Sequence, residues 1–446
     1  MKKLLLAALL LGLGRPAAAE MPGLAPLLSS PALSGPGPVA MASPPKPNIA
    51  PVDTSALRAG QLYADAMRRL AAGERDPAED LLRRSLEIDA TNVRCRFALG
   101  TLRQQDGFPE EAIAQFQQAV ALEPDHPFLL TNMGLALISV GRLDDADKVL
   151  QKAAALAPTS PFPLNALAVL RERQKRWDDA RALLTKAVTV DVGFGDGHVN
   201  LGLLALSQRR NDEAETQFKL AGPHNAAALN GLGVLRWFAG DPDGAEHQFE
   251  AAVSADHKNE VARYNLALYL STAARYEEAH YYLDPLQSSP TMGSVALTLE
   301  GAIERQEGHD ALAIEQLKRA LTLDPAQAPA HALLGLVAME QNDLDLAELH
   351  LAAAVELRPD DATSSNDLGL VYQRKGKLAK AIEEVEKAAL IAPDAPDIQY
   401  NLGHLLDLAG QFEQAIPHLQ RYLELSPHAA DAPEVTRRIA ELGKKR

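Results

Sequence analysis

Three observations predict an all-α fold, built as a run of about eleven short helix pairs with one further helix at the C-terminus. First, a small residue recurs at Ala78, Ala112, Ala146, Ala180, Ala214, Ala245, Ala279, Ala313, Ala347, Ala381 and Ala415; nine of the ten steps are 34 residues, and the step from Ala214 to Ala245 is 31. Second, a Leu-Gly pair keeps the same phase at Leu99-Gly100, Leu201-Gly202, Leu232-Gly233, Leu334-Gly335, Leu368-Gly369 and Leu402-Gly403, and a proline does so at Pro124, Pro158, Pro325, Pro359, Pro393 and Pro427. Third, aromatic residues make up only 5% of the 446 residues, while alanine and leucine dominate, which suits closely packed helices better than a sheet.

The stretch Thr363 to Pro393 shows one unit at its clearest. Leu368, Gly369 and Tyr372 share a face of a first helix. Gly376 closes that helix, since the residue past a C-terminus often takes positive φ. Ala381, Val385 and Ala388 line one face of a second helix, and Ala381 is small because the two helices approach closely there. Pro393 ends the unit where a lost N–H costs nothing. A 34-residue period carrying Leu-Gly, a large residue, Gly, Ala and Pro resembles the tetratricopeptide repeat (TPR) family over residues of about 59–429. The resemblance implies a right-handed α-solenoid of helix-turn-helix units.

In chain order, residues 1–19 (MKKLLLAALLLGLGRPAAA) read as a secretory signal peptide: Lys2 and Lys3, an apolar run Leu4 to Leu13, then Ala17-Ala18-Ala19 before Glu20. The apolar run is short for a membrane span. Residues 20–55 carry nine prolines and few large apolar side chains, and read as a disordered Pro/Ala-rich tether. Helices are expected from Ala59, with an N-terminal half at 56–225 and a C-terminal half at 226–429. Two places depart from the period: the fifth repeat is three residues short and ends in Gly222-Pro223-His224-Asn225, and the seventh has Pro285 inside its second helix. A shortened helix and a local change of pitch are expected at each. The segment 430–446 predicts a cap, with Val435, Ile439 and Leu442 buried and Arg437, Arg438 and Glu441 in water.

The net charge of −15 becomes −18 without Lys2, Lys3 and Arg15. Such a field repels a phosphate backbone, so nucleic acid is an unsuited partner, as is an anionic lipid surface; it keeps a long repeat protein soluble and leaves room for a basic partner. The single cysteine, Cys95, precludes an internal disulfide and a thiolate metal site, and reads as a small packing residue. No zinc-protease pair, phosphate loop or nucleophile elbow occurs. Gly193-Phe194-Gly195-Asp196-Gly197 reads as a connector, and the twelve histidines are scattered. Acidic pairs such as Asp144-Asp145, Asp178-Asp179 and Glu277-Glu278 sit where they offset a helix dipole. No cofactor, metal or catalytic residue is expected, and the chain reads as non-enzymatic.

The resemblance implies that the first helices line a concave groove where partners bind. The matching positions grade from Phe97, Phe128, Thr131, Leu135, Ile138, Phe162, Asn165 and Val169, through Val199, Leu203, Leu206, Asn230, Val234, Trp237, Phe238, Tyr264 and Leu268, to Arg305, Gln306, Asn366, Gln373, Arg374, Tyr400, His404 and Asp407. The central apolar set (Leu135, Ile138, Val169, Leu203, Leu206, Asn230, Val234, Trp237, Phe238, Tyr264 and Leu268) is the expected partner-binding surface, with Trp237-Phe238 its sharpest feature; the plainer alternative is that these two rings pack beside the short repeat. The basic clamp of some cytosolic members is not evident. The leading expectation is an exported, periplasmic scaffold of a Gram-negative envelope assembly, holding an apolar helix or extended peptide; motility, pilus, outer-membrane and polysaccharide-export machinery are implied by resemblance only. A chaperone or adaptor for exported clients, and an accessory subunit of an envelope enzyme, are the alternatives.

Overall fold

The computed structural model describes residues 54–444. The signal peptide at 1–19 and all but the last two residues of the tether at 20–55 lie outside the described residues. Helices α1 (Thr54–Ala71), α2 (Arg75–Ile88), α3 (Val93–Gln105), α4 (Pro109–Leu122), α5 (Pro127–Ser139), α6 (Leu143–Leu156), α7 (Pro161–Arg173), α8 (Trp177–Val190), α9 (Gly195–Ser207), α10 (Asn211–Leu220), α11 (Ala226–Phe238) and α12 (Pro242–Ala255) form a first compact unit. Helices α13 (Glu260–Thr272), α14 (Tyr276–Leu283), α15 (Gly293–Glu307), α16 (Asp310–Leu323), α17 (Ala328–Glu340), α18 (Leu344–Leu357), α19 (Ala362–Arg374), α20 (Leu378–Ile391), α21 (Pro396–Leu408), α22 (Phe412–Leu425) and α23 (Ala432–Leu442) form a second. There are eleven pairs and a cap, with no strand among the described residues. The units divide after Ala255, one pair beyond the 225/226 boundary. The first helix begins at Thr54, five residues before Ala59.

Each pair closes on the same contact. All eleven marker alanines are fully buried. The glycine of the Leu-Gly pair meets the residue sixteen positions on: a Cβ added to Gly100 would lie 2.6 Å from Phe116, at Gly202 2.5 Å from Phe218, at Gly335 2.5 Å from Leu351, and at Gly369 2.4 Å from Val385. Real contacts of that kind are near 3.5–4.0 Å, so the helices touch only because these residues have no side chain. The turn inside every pair needs positive φ. Glycine supplies it at Gly73, Gly107, Gly141, Gly240, Gly308, Gly376 and Gly410, and Lys175, Arg209, Ala274 and Asn342 supply it elsewhere.

Between pairs, a side chain at the fourth position of the first helix reaches back six residues to a carbonyl in the connecting turn. Arg96 donates to Ala90 (2.6 Å), His198 Nε2 to Val192 (3.2 Å), Arg263 to His257 (2.6 Å), His331 Nε2 to Pro325 (3.2 Å) and Gln399 to Pro393 (3.0 Å). Pro393 thus lies in the connecting turn, ahead of Pro396, which opens α21. The glycine-rich stretch is only half connector: Gly195 already opens α9, and Gly197 is packed so tightly that a Cβ would fall 2.6 Å from the Phe194 ring.

The two expected irregularities are present. The second helix of the fifth pair, α10, has 10 residues where α8 has 14. Helix α14 has 8 and gives way to a 3-10 turn, Asp284–Leu286, that holds Pro285. The cap buries Val435 and Leu442. Arg438 does not simply face water: its guanidinium grips Asp407 of α21 at 2.7 and 2.8 Å. The acidic pairs do occupy the first turns of α6, α8 and α14. Cys95 is buried, its thiol 3.1 Å from the Ser85 hydroxyl, and burial pushes its pKa up. No described helix is long and apolar enough to cross a membrane.

Candidate interaction surface

First and second helices play different parts. Within each unit, first helices pack on their own second helix, on the preceding second helix, and on neighbouring first helices, as in α5–α7, α9–α11, α15–α17 and α19–α21. They are therefore covered on several sides. Helix α13 buries ten of its 13 residues, whereas α10 buries two.

This packing corrects the expected surface. Leu135, Ile138, Leu206, Asn230, Val234, Tyr264 and Leu268 are all buried, Tyr264 to 1% exposure. They are core residues, because first helices lean on one another and consume the apolar positions that sequence alone assigns to solvent. Tyr264 is so enclosed that desolvation drives its hydroxyl pKa far up. Four of the eleven keep surface: Val169, Leu203 and Trp237 are half-buried, and Phe238 is 40% exposed. The Trp237 and Phe238 rings stack at 6.4 Å and 10°, and Trp237 sets its edge on Phe249 of α12 at 6.3 Å. Trp237 is therefore part packing and part surface, while Phe238 is presented outward.

The polar positions are used differently from expectation too. Asn200 donates to Asn165 at 2.7 Å between α9 and α7, and Asn401 to Asn366 at 2.9 Å between α21 and α19. These amides tie successive first helices together. Arg305 pairs with Glu340, and Arg374 donates to the Met339 carbonyl and to Asn342, each at 2.8 Å. The C-terminal polar set is thus largely engaged within its own unit.

Three carboxyls on first helices are held away from their ordinary ionisation by burial. Asp196 on α9 is pushed up to about 6, Glu172 on α7 to about 7 against the pull of Arg173, and Asp367 on α19 to about 7. For Asp367 the opposing hydrogen bond comes from Asn366, while Asp361 and Asp397 add repulsion. A desolvated carboxyl of this kind favours a further donor or positive charge brought to it. No spacing or motif marks these three in the sequence, because burial sets them apart.

Tetratricopeptide repeat models match residues 368–440, residues 103–170, and residues 165–226 and 299–362. The chain belongs to the tetratricopeptide repeat family. Together these matches span more than half of it and fall on both compact units. A solved structure to which it is similar is the crystal structure of the APC/C hetero-tetramer Cut9-Hcn1, at 13% identity over 86% of this chain and 97% of that chain, with a TM-score of 0.44. No curated protein matches. The TPR assignment makes the chain a protein–protein interaction scaffold, and repeat proteins of this family are generally non-catalytic.

Proposed function

We propose that this TPR protein is an exported, non-enzymatic scaffold of a bacterial cell-envelope assembly, working in the periplasm of a Gram-negative cell. It holds peptide or helix segments of partner proteins against its first helices. The observation that carries the binding face is the Trp237–Phe238 stack at the end of α11, where Phe238 is 40% exposed beside the half-buried Trp237. Val169 on α7 and Leu203 on α9 are further half-buried apolar positions on first helices, and Glu172 and Asp196, carboxyls desolvated on the same two helices, favour a partner segment that brings hydrogen-bond donors or positive charge. The signal-peptide pattern of residues 1–19 supports export.

Fractionation tests the compartment. Release of the chain by osmotic shock, with a new N-terminus near Glu20, is the expected result; retention of the full leader in the cytosol contradicts export. Binding is tested by Phe238→Asp, which is expected to weaken partner capture at least tenfold while leaving the helical spectrum unchanged.

A further inference from the structure

A recurring junction supplies the frame. At several junctions the residue after the marker alanine, on a second helix, meets the residue 24 positions on (21 across the short repeat) in the next first helix. At three junctions an acid meets an arginine there: Glu79 with Arg103, Asp147 with Arg171 at 2.9 Å, and Glu215 with Arg236 at 2.8 Å. At a fourth, Glu348 is met by Lys375 at 2.6 Å and Lys377 at 2.8 Å. Each carboxylate has a cation.

The junction between α14 and α15 inverts this. His280 stands where those four junctions have the acid, and Glu304 stands where three of them have the arginine. Glu300, one turn earlier, and Glu307 join them. His280 Nδ1 lies 2.7 Å from Glu300 Oε1, its Nε2 3.2 Å from Glu307 Oε2, and His309 Nδ1 2.9 Å from Glu304 Oε2. The ligand atoms of His280, Glu300 and Glu304 lie within 4.8 Å of one another, and those of Glu304, Glu307 and His309 form a second such group. Glu300 is only 6% exposed, and its Oε2 is buried without a hydrogen-bond partner. Asp284 adds a further negative charge. The side chains paired with these three glutamates are imidazoles, His280 and His309, and no arginine or lysine meets them among the described residues. Burying a carboxylate with one oxygen unmet is costly.

We propose that His280, Glu300 and Glu304 bind one divalent transition cation of the zinc class, with Glu307 and His309 beside it, and that the ion clasps the seventh pair to the eighth. The donor set of one imidazole and carboxylate oxygens suits such an ion. It takes the place of the arginine at the other junctions and meets the orphaned Oε2. Binding through His280 Nδ1 requires that nitrogen to give up the proton it shares with Glu300 Oε1, so uptake of the ion releases a proton.

The test is Zn²⁺ titrated calorimetrically into the chelator-treated full chain, with zinc counted after desalting. One bound zinc per chain and a raised melting temperature are expected. Glu300→Gln is expected to bind at least tenfold more weakly. The double variant His280→Glu/Glu304→Arg rebuilds the acid–arginine junction, so it is expected to fold without metal and to show neither the bound zinc nor the thermal shift. Absence of a stoichiometric zinc in the parent chain, or equal binding by the folded double variant, overturns the proposal.

Discussion

The ring of Phe218 leaves no room for a methyl group at Gly231: a Cβ built there would fall 2.4 Å from the ring carbon Cζ. Phe218 belongs to α10 and Gly231 to α11, so this contact joins the short fifth repeat to the sixth. The same ring presses on Gly202 of its own pair, where a Cβ would lie 2.5 Å away. A fully buried phenylalanine is thus clamped between two glycines. Replacing Gly231 by alanine forces the ring or a helix aside, and a destabilisation of about 1–3 kcal/mol is expected despite alanine's better helix propensity. Gly60, with nothing within 4 Å, is the control, and Gly60→Ala is expected to be neutral or stabilising. Urea midpoints compare the two.

The intra-pair turns make an opposite prediction. Ala274 is held at φ 60 where seven other repeats use glycine. Ala274→Gly relieves that strain, and a gain of up to about 1 kcal/mol is expected once the extra freedom of unfolded glycine is allowed for. Asn342→Gly gains less, because asparagine tolerates this region. Gly376→Ala, at φ 70, loses stability. Thermal unfolding of the three variants checks the order.

Asp367 gives the chain a pH dependence of definite sign. Burial pushes its carboxyl up to about 7, above the ordinary value near 4. Between those values the folded chain holds a proton that the unfolded chain has released, so this group's effect is to lower stability as pH rises from about 4 to 7. The upper bound is about 4 kcal/mol, at near 1.4 kcal/mol per pH unit. Asp367→Asn is expected to gain stability over the parent at pH 8 and not at pH 4. An equal difference at both pH values contradicts the assignment.

The architecture was legible because helix pairing is written at fixed offsets. The buried marker alanines, the glycine at Gly369 and the broken helix at Pro285 each follow from one residue type at one position. The interaction face was less legible. Leu268 and Val234 carry the helical spacing of an exposed apolar stripe, yet packing between first helices buries both. Spacing gives the face of a helix; what covers that face depends on the neighbouring repeat. The His280 cluster was hidden for a related reason, since His280 stands 20, 24, 27 and 29 residues before Glu300, Glu304, Glu307 and His309, and only the packing of α14 on α15 brings it to them. Its signal was comparative: at the position after the marker alanine, where Glu79, Asp147, Glu215 and Glu348 stand, this repeat alone has histidine.

The central claim is that the exposed ring at the end of α11 is a docking point for a dedicated partner. Site-specific photo-crosslinking in the native cell tests it most directly, with the probe in place of Phe238 and a control probe at Glu383, an exposed residue of the second helix α20. A discrete adduct from position 238 and none from position 383 is the predicted result, and mass spectrometry of that adduct names the assembly. A smear of many adducts, or none above the control, contradicts the scaffold with a dedicated partner at this face.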